Sequence, residues 1–252
     1  MLLSRKTLLT SLGIAGAGLF TARCAGSATA SSAAATSAAA TSATASNAAC
    51  AVTPEGEIGP YFTDDSASGY DRSNIIANLD GTQTQTGVPL GLTVLIRDGE
   101  KSCAAVANAQ VDIWHCNASG VYSNESSENT TGEQWLRGYQ ITNAAGSVTF
   151  TTIIPGWYQG RTTHIHLRVR SVYSEASSSS DGTNTAQVFF DQTLVDTLST
   201  SLAPYNSEGV NPTTNASDRV YAGETRGVGL LALSGTAAAG YTATYTVDLP
   251  IT

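Results

Sequence analysis

Short runs of alternating apolar and polar residues recur along the chain from residue 90 onwards. Thr93–Arg97 (TVLIR) and His164–Arg170 (HIHLRVR) alternate cleanly, so each predicts a β-strand with one face toward a core. Turn residues separate the runs, and no long amphipathic helix is evident. The runs are Leu90–Arg97, Ala109–Cys116, Ser147–Ile153, Thr163–Arg170, Ala186–Phe190 and Tyr241–Leu249. This spacing predicts an all-β fold, an antiparallel β-sandwich with long loops.

The chain begins with a pattern typical of protein export. Two basic residues, Arg5 and Lys6, precede an apolar run, Leu8–Ala22, and the small residues before Ala30 suit cleavage of a signal peptide. The run is shorter than the roughly 20 residues that cross a bilayer, so we expect no stable membrane span. We therefore expect a secreted or extracytoplasmic protein. Cys24 is an alternative point of lipid attachment, although the residues before it fit that signal poorly.

The segment that follows has a biased composition. Residues 31–49 are almost entirely Ala, Ser and Thr. Such side chains bury too little apolar area to offset the entropy of ordering, so this segment is predicted to be a linker. The predicted organisation is a signal peptide at 1–30, a linker at 31–49 and a single β-sandwich domain at 50–252.

The predicted domain is acidic. The first 49 residues hold three of the chain's 12 basic residues and none of its 20 acidic residues, so residues 50–252 carry a net charge of −11. A negative surface repels the phosphate backbone of nucleic acids. The charge balance therefore argues against a nucleic-acid partner.

Three cysteines lie beyond the predicted signal, namely Cys50, Cys103 and Cys116. In an oxidising compartment two of them are expected to form a disulfide, and the sequence leaves open which two. Cys116 follows His115 at the end of a predicted strand. We interpret this histidine as a packed structural residue and Cys116 as a disulfide cysteine.

Two of the chain's three histidines, His164 and His166, lie two residues apart in a predicted strand. Side chains at this spacing point to the same face, so both imidazoles can bind one metal ion. The loop before the strand supplies Tyr158 and Arg161, and another tyrosine, Tyr122, follows a buried strand. Paired histidines in a strand can equally be structural, so the neighbouring tyrosines are what favours a metal site.

Several segments, in their order and spacing, resemble those of the intradiol ring-cleavage dioxygenases, in particular exported single-chain members related to protocatechuate 3,4-dioxygenase and catechol 1,2-dioxygenase. The segments are Val111–Tyr122, Leu136–Gly138, Phe150–Gly156, Arg161–His166 and Gln187–Phe190. The resemblance implies that the loops of the sandwich form an active site. It also implies a non-haem Fe(III) centre and a reaction with O₂ that opens the ring of a catechol-type substrate to a cis,cis-muconate-type product.

The same resemblance implies which residues hold the iron. The matching positions are Tyr122, Tyr158, His164 and His166. Phenolates are hard anionic oxygen donors that suit a trivalent cation, and imidazole is an accepted iron ligand. A free phenol has a pKa near 10, so both tyrosines need the metal's charge to ionise at neutral pH.

Three residues are expected to act in the reaction. By the resemblance, Tyr158 leaves the metal when the diol binds and takes one of its protons. Arg161 is expected to stabilise negative charge on the substrate. Gln187 is expected to hydrogen-bond to the substrate or to Arg161, since its amide both donates and accepts.

Two other hypotheses stand beside this one. The first is a non-catalytic β-sandwich module that binds a ligand without turnover. The second is a zinc or copper site built on His164 and His166, with His115 as a third ligand. The chain also lacks an obvious counterpart of the helical dimerisation domain of the cytoplasmic enzymes, so the resemblance carries over neither the oligomeric state nor the choice of diol.

Overall fold

Strands dominate the part of the chain that the structure describes. The computed structural model describes residues 50–64, 69–170, 183–223 and 229–251. The strands are β1 Pro89–Asp98, β2 Ala104–Ala105, β3 Gln110–Trp114, β4 Arg137–Ile141, β5 Ser147–Ile153, β6 His164–Arg170, β7 Thr183–Phe189, β8 Ser234–Thr236 and β9 Gly240–Leu249. The helices are α1 Gln192–Ser201 and α2 Arg219–Gly223, with short 3₁₀ turns at Ser126–Glu128 and Tyr205–Ser207.

The strands form two sheets. In one sheet β1 has β9 on one side and β5 and the short β2 on the other, and β8 pairs with β9. The second sheet has the order β4-β3-β6-β7. Among the described residues every strand pair is antiparallel except β1 with β9, which is parallel. The predicted fold class, an antiparallel β-sandwich, is confirmed.

The hydrophobic core lies between the two sheets. Alternate residues of β1 are at most 1% exposed, namely Leu90, Leu92, Val94 and Ile96. The second sheet contributes Ile165, Leu167 and Val169 from β6 to the same cluster. Burying one such aliphatic side chain contributes roughly 1.5–3 kcal/mol. Because β6 alternates, its core residues leave His164 and His166 on the opposite face, and loops cover that face.

The six predicted strands are present, with ends that differ by a few residues. The largest difference is at Ala186–Phe190, because β7 begins three residues earlier and runs over Thr183–Phe189. Sequence alternation missed β4, whose residues Arg137–Ile141 include a buried arginine and a glycine. It also missed helix α1, which begins after Asp191. The side chain of Asp191 caps α1 by accepting a hydrogen bond from the N–H of Leu194 at 3.1 Å.

A disulfide ties the segment before the first strand to the sandwich. Cys50 is bonded to Cys103, which lies between β1 and β2. Cys116 is free and buried, so its interpretation as a disulfide cysteine is wrong. The reason is its position at the end of β3, where its Sγ donates to the carbonyl of Gly156 at 3.6 Å. Residues 50–62, which follow the bonded Cys50, are called the arm below.

The predicted signal peptide, the linker and Cys24 lie outside the described residues. Within the described residues no helix is long and apolar enough to cross a membrane.

Candidate metal centre

Strand β6 brings two imidazoles together on its loop-covered face. The Nε2 atoms of His164 and His166 lie 3.1 Å apart, and both rings are at most 2% exposed. Nδ1 of His164 lies 2.6 Å from the carbonyl oxygen of Thr162. A carbonyl only accepts, so Nδ1 carries the proton and Nε2 keeps a free lone pair. This is the tautomer that a metal ligand requires, with the ring held by its other nitrogen.

Two tyrosines from different loops meet these histidines. Tyr122 follows β3, and Tyr158 lies in the loop between β5 and β6. The Tyr158 hydroxyl is 3.3 Å from Nε2 of His164, and the ring centroids of the two tyrosines are 5.6 Å apart. The Tyr122 ring lies 6.5 Å from the ring of His166. The structure therefore brings the four predicted ligands to one place.

The two tyrosine loops are packed backbone against backbone. Gly120 has a φ of +82°, and a Cβ at this position would collide with the carbonyl of Trp157. Only glycine permits both the left-handed conformation and this close approach. The contact fixes the Tyr122 loop against the residue immediately before Tyr158.

The arm, residues 50–62, packs over the two tyrosines and His166. Tyr61 stacks on Tyr122 with centroids 4.2 Å apart, and it meets Tyr158 edge-on at 5.8 Å. Gly59 lies directly against the His166 ring, because a Cβ there would come within 2.9 Å of its Cε1. The opposite contact to His166 is Trp114, which stacks on it at 4.9 Å with an interplanar angle of 9°. The imidazole is thus held between a strand neighbour and the arm.

A buried arginine connects the arm to the Tyr122 loop. Arg137 is 1% exposed and donates from Nη1 to the carbonyl of Tyr61 at 2.5 Å. Its Nε and Nη2 donate to the hydroxyl and carbonyl of Ser123 at 2.8 and 2.7 Å. The guanidinium also lies 5.9 Å from the centre of the Tyr122 ring. Its positive charge therefore sits beside a phenol that is expected to ionise.

Arg161 and Gln187 form one hydrogen-bonded network behind the histidines. Nη2 of Arg161 donates to Oε1 of Gln187 at 2.6 Å, and Nε donates to Asp218 at 2.9 Å. The Gln187 amide donates in turn to the carbonyl of Glu57 in the arm at 2.9 Å. Gln187 is also the strand partner of His166, so both side chains lie on the same face of the sheet.

Burial keeps all four candidate ligands neutral when no cation is bound. Burial, and after it the charge of Arg161, lowers the pKa of His164 to about 3. Burial, and after it His164, lowers the pKa of His166 well below its ordinary value. Burial raises the pKa of Tyr158 to about 12 and that of Tyr122 well above its ordinary value. Neutral imidazoles are ready to bind a metal, and a cation would lower the phenol pKa values.

These residues fit a hard, highly charged cation. The Tyr122 hydroxyl is buried and makes no hydrogen bond with any described residue. An unsatisfied buried hydroxyl costs about 1–3 kcal/mol. The adjacent lone pairs are the imidazole nitrogens of His164 and His166 and the oxygen of Tyr158. Two phenols that ionise and two neutral imidazoles together match the preferences of a trivalent iron ion.

A family profile described as Dioxygenase matches residues 58–191, more than half of the chain and a span that holds all four candidate ligands. The chain belongs to the intradiol ring-cleavage dioxygenase family. This confirms the relationship predicted from the sequence segments.

Solved structures of the family share this fold. An intradiol ring-cleavage dioxygenase from Tetranychus urticae is 26% identical over 81% of this chain and 96% of its own, with a TM-score of 0.66. The dioxygenase domain of a dioxygenase carbohydrate-binding protein fusion from Streptomyces sp. SirexAA-E is 25% identical over 80% of this chain and 100% of its own, with a TM-score of 0.54. Catechol 1,2-dioxygenase from Pseudomonas arvilla C-1, 19% identical over 79% of this chain and 62% of its own, matches in fold with a TM-score of 0.52. A comparison with curated proteins finds no match.

The alternative metal site with His115 as third ligand is wrong. Nδ1 of His115 lies 2.8 Å from the carbonyl of Cys116, and Nε2 lies 2.7 Å from the hydroxyl of Thr152. Both ring nitrogens therefore have protein partners at the end of β3. Among the described residues no group of three or more His, Cys, Asp or Glu side chains is placed to hold a metal ion. In this member of the intradiol dioxygenase family the oxygen donors nearest the histidine pair in the candidate set are the phenols of Tyr122 and Tyr158.

Asp218 is a residue of the site that the sequence did not indicate. Its side chain is fully buried beside Arg161, although 57 residues separate the two along the chain. A signal for its local role exists, because an aspartate directly before α2 is a typical N-cap. Its side chain accepts the N–H groups of Val220 and Tyr221, both at 2.9 Å. Nothing in the local sequence links this cap to Arg161.

Proposed function

We propose that the chain is an Fe(III)-dependent dioxygenase that cleaves a catechol-type ring between its hydroxyls with O₂ and yields a cis,cis-muconate-type product. The observation that carries the proposal is the convergence of Tyr122, Tyr158, His164 and His166 in one buried place within this family's fold. Ferric iron held there would supply the charge that binds a catechol through both oxygens and makes its ring reactive toward O₂.

Tyr158 is the residue suited to proton transfer. It is partly exposed, whereas the other three candidate ligands are buried. It also lines a cavity of about 480 Å³. As a phenolate it can accept a proton at Oη from an incoming diol, since burial raises the pKa of Tyr158 to about 12 and so makes this oxygen basic. Tyr158 therefore combines a metal-binding oxygen with a position open to substrate.

Arg161 provides a fixed positive charge near the histidines. The hydrogen bonds to Asp218 and Gln187 hold its guanidinium at two nitrogens, so it needs little reorganisation to stabilise an anion. Gln187 holds Arg161 on one side and the arm on the other. We assign charge stabilisation to Arg161 and orientation of that charge to Gln187.

The arm excludes water from the site. Gly59, Tyr61 and Phe62 pack over the His166, Tyr122 and Trp114 side chains. Excluding water strengthens electrostatic interactions inside a site and protects reactive groups. The Cys50–Cys103 disulfide fixes the beginning of the arm to the sandwich.

We propose further that the protein acts outside the cytoplasm. The basic start and apolar run of residues 1–30 are typical of a signal peptide, and residues 31–49 have the composition of a linker. The Cys50–Cys103 disulfide supports this location, because structural disulfides persist in oxidising compartments. Fractionation of the host, with the processed N-terminus determined by mass spectrometry, tests both parts of this proposal.

A visible absorption spectrum of iron-loaded protein tests the proposed activity. Tyrosinate bound to Fe(III) gives a coloured protein, and we expect the band to shift when catechol is added without O₂. Admitting isotopically labelled O₂ should then yield a ring-opened product that contains both labelled atoms. A colourless protein whose spectrum catechol leaves unchanged would overturn the proposal and favour the non-catalytic binding module.

A further inference from the structure

A cavity of about 480 Å³ opens beside Tyr158. Trp157 and Tyr158 form one wall, and residues 119–121 of the Tyr122 loop form the facing wall. The rim is completed by Glu128, the last residue of the first 3₁₀ turn, and by Glu208, which follows the second. The volume lies within the usual range of small-molecule pockets and exceeds what a single-ring diol needs. Because its wall contains the candidate ligand Tyr158, this cavity borders the candidate metal centre.

The charges around this cavity have one sign. Glu128 and Glu208 are both exposed, and neither forms an ion pair with any described residue. No lysine or arginine of the described part of the chain lines the cavity. Arg161, from the same loop as Tyr158, is hydrogen-bonded to Asp218 and Gln187 behind the histidines. A ligand that enters therefore meets two carboxylates in the cavity lining before it reaches Arg161.

We infer that this cavity is the substrate entrance and that Glu128 and Glu208 select diols by charge, admitting neutral and cationic catechols in preference to carboxylated ones. The inference rests on the proposed dioxygenase function, since it concerns the substrate class of the same site. Two carboxylates alone would not define a site. Here they share a cavity with Tyr158, and that shared wall connects their charge to the diol.

The expected size of the effect follows from the exposure of the two carboxylates. Each rim carboxylate interacts only weakly with a charged diol, because water surrounds both charges. At about 0.1 M salt the interaction is largely screened beyond about 10 Å. Charges at the rim of a site change the rate at which a charged ligand associates more than they change the stability of the bound complex. We therefore expect about a tenfold preference in kcat/KM for a neutral diol over an anionic one at low salt, falling toward unity at high ionic strength.

The test uses three catechols that differ in the charge of one ring substituent. These are catechol itself, 3,4-dihydroxybenzoate, which is anionic, and dopamine, which is cationic. Dissociation constants come from anaerobic titration followed by the visible spectrum of the iron-loaded protein, and kcat/KM comes from aerobic turnover. The double variant Glu128→Gln/Glu208→Gln should raise the anionic-to-neutral ratio of kcat/KM several-fold and lower the anionic-to-neutral ratio of the dissociation constants. The cationic-to-neutral ratios should move in the opposite directions.

A matched variant separates this local effect from net charge. Asp80→Asn/Glu100→Gln removes two negative charges at exposed positions that neither line the cavity nor belong to the arm. It should leave the ratios within about twofold of wild type, as expected for distant screened charges. Equal ratios in wild type and the Glu128/Glu208 variant, or an equal shift in both double variants, would overturn the charge selection while catechol cleavage stands. Absence of any catechol binding or cleavage would overturn the proposed function together with this inference.

Discussion

The guanidinium of Arg161 donates from Nε to Oδ2 of Asp218 at 2.9 Å, with the two side chains 12% and 0% exposed. The same carboxylate oxygen accepts the N–H of Thr162 at 2.8 Å, and the other oxygen caps α2 through Val220 and Tyr221. Burial alone would raise the pKa of Asp218, but the hydrogen bonds from Tyr221, Arg161 and Thr162 hold the pKa below its ordinary value. The carboxylate therefore stays charged and orients Arg161.

Asp218 is predicted to be a positioning residue for turnover. Asp218→Asn keeps a side chain that can cap α2 but removes the charge that holds Arg161, so we expect kcat for catechol to fall about tenfold and KM to change less. Arg161→Lys should act in the same direction, because an ammonium cannot reproduce the planar, two-sided contact. Steady-state kinetics of iron-loaded variants measures both quantities.

The neighbouring exposed ion pair provides the control for this prediction. Arg219 and Glu57 pair at 2.6 Å with side chains 70% and 53% exposed. Exposed pairs of this kind contribute about 0–1 kcal/mol, so Arg219→Gln should leave kcat within about twofold. A folded Asp218→Asn protein with the kcat of the wild type would show that Arg161 does not depend on this carboxylate.

The sequence predicted the strands in which apolar and polar residues alternate. It missed the elements that depend on tertiary hydrogen bonds and packing. In β6 the period-two pattern is unbroken, and in β1 only Leu95 interrupts it between Leu90 and Arg97, so the existence and faces of both strands could be predicted. In β4 the pattern fails because Arg137 is buried by hydrogen bonds to the arm and to Ser123, a tertiary arrangement invisible in a local window. Helix α1 is rich in Thr and Ser, which are weak helix formers, so its packing and its cap determine it.

In the candidate site, too, some residues could be predicted from the sequence and others could not. The spacing of His164 and His166 predicts a shared face without any structure, and the family resemblance supplied the two tyrosines. The residues that hold them in place could not be predicted. Gly59 lies more than 100 residues from the His166 ring that it contacts, and Asp218 is far from Arg161 along the chain. Such pairs depend on how the loops cross the sheet, which local patterns do not encode.

Tyr122→Phe is predicted to separate stability from metal binding. The Tyr122 hydroxyl is buried without a hydrogen bond in the described residues, so its removal should leave the metal-free protein as stable or about 1 kcal/mol more stable. The same change removes a candidate ligand, so bound iron and the visible band should drop sharply. Chemical denaturation of the metal-free protein and metal analysis after iron loading measure the two effects.

Tyr205→Phe is the matched control for that experiment. The Tyr205 hydroxyl is also buried, but it accepts from the N–H of Val88 at 2.8 Å and donates to the carbonyl of Ile154 at 2.6 Å. Its removal should cost about 1–3 kcal/mol of unfolding free energy and leave iron content unchanged. The assignment of Tyr122 as a ligand would be refuted by full iron content in Tyr122→Phe.

Gly59→Ala is predicted to weaken iron binding through His166. The added Cβ would lie 2.9 Å from Cε1 of that ring, so the ring or the arm must shift. Gly132 has a similar conformation, with φ +84° against +74°, but open space where its Cβ would be. Both substitutions carry the same backbone penalty of roughly 1 kcal/mol. If iron affinity falls in Gly59→Ala and not in Gly132→Ala, the cause is the contact between residue 59 and the His166 ring. Equal iron affinities in the two variants would contradict this prediction.

His115 is predicted to make the unfolding free energy depend on pH. Burial lowers the pKa of this histidine to about 4, from an ordinary value of 6.5. Between these values the unfolded chain binds a proton that the folded protein does not. Stability is therefore complete above pH 6.5 and is lost as the pH falls toward 4. The shift corresponds to about 3 kcal/mol for this one group.

Chemical denaturation of the metal-free protein at several pH values tests this prediction. A range of about three units, from about 7.5 to about 4.5, spans the expected transition. His164 and His166 are also buried, so they too contribute to the slope of unfolding free energy against pH in the wild type. His115→Gln should remove the part of that slope that comes from one protonated group and leave the contribution of the other two histidines. Iron content provides an independent readout, because both nitrogens of His115 have protein partners and the variant should bind iron as the wild type does. An unchanged pH slope would show that His115 is not buried in its neutral form, and lost iron would return it to the list of candidate ligands.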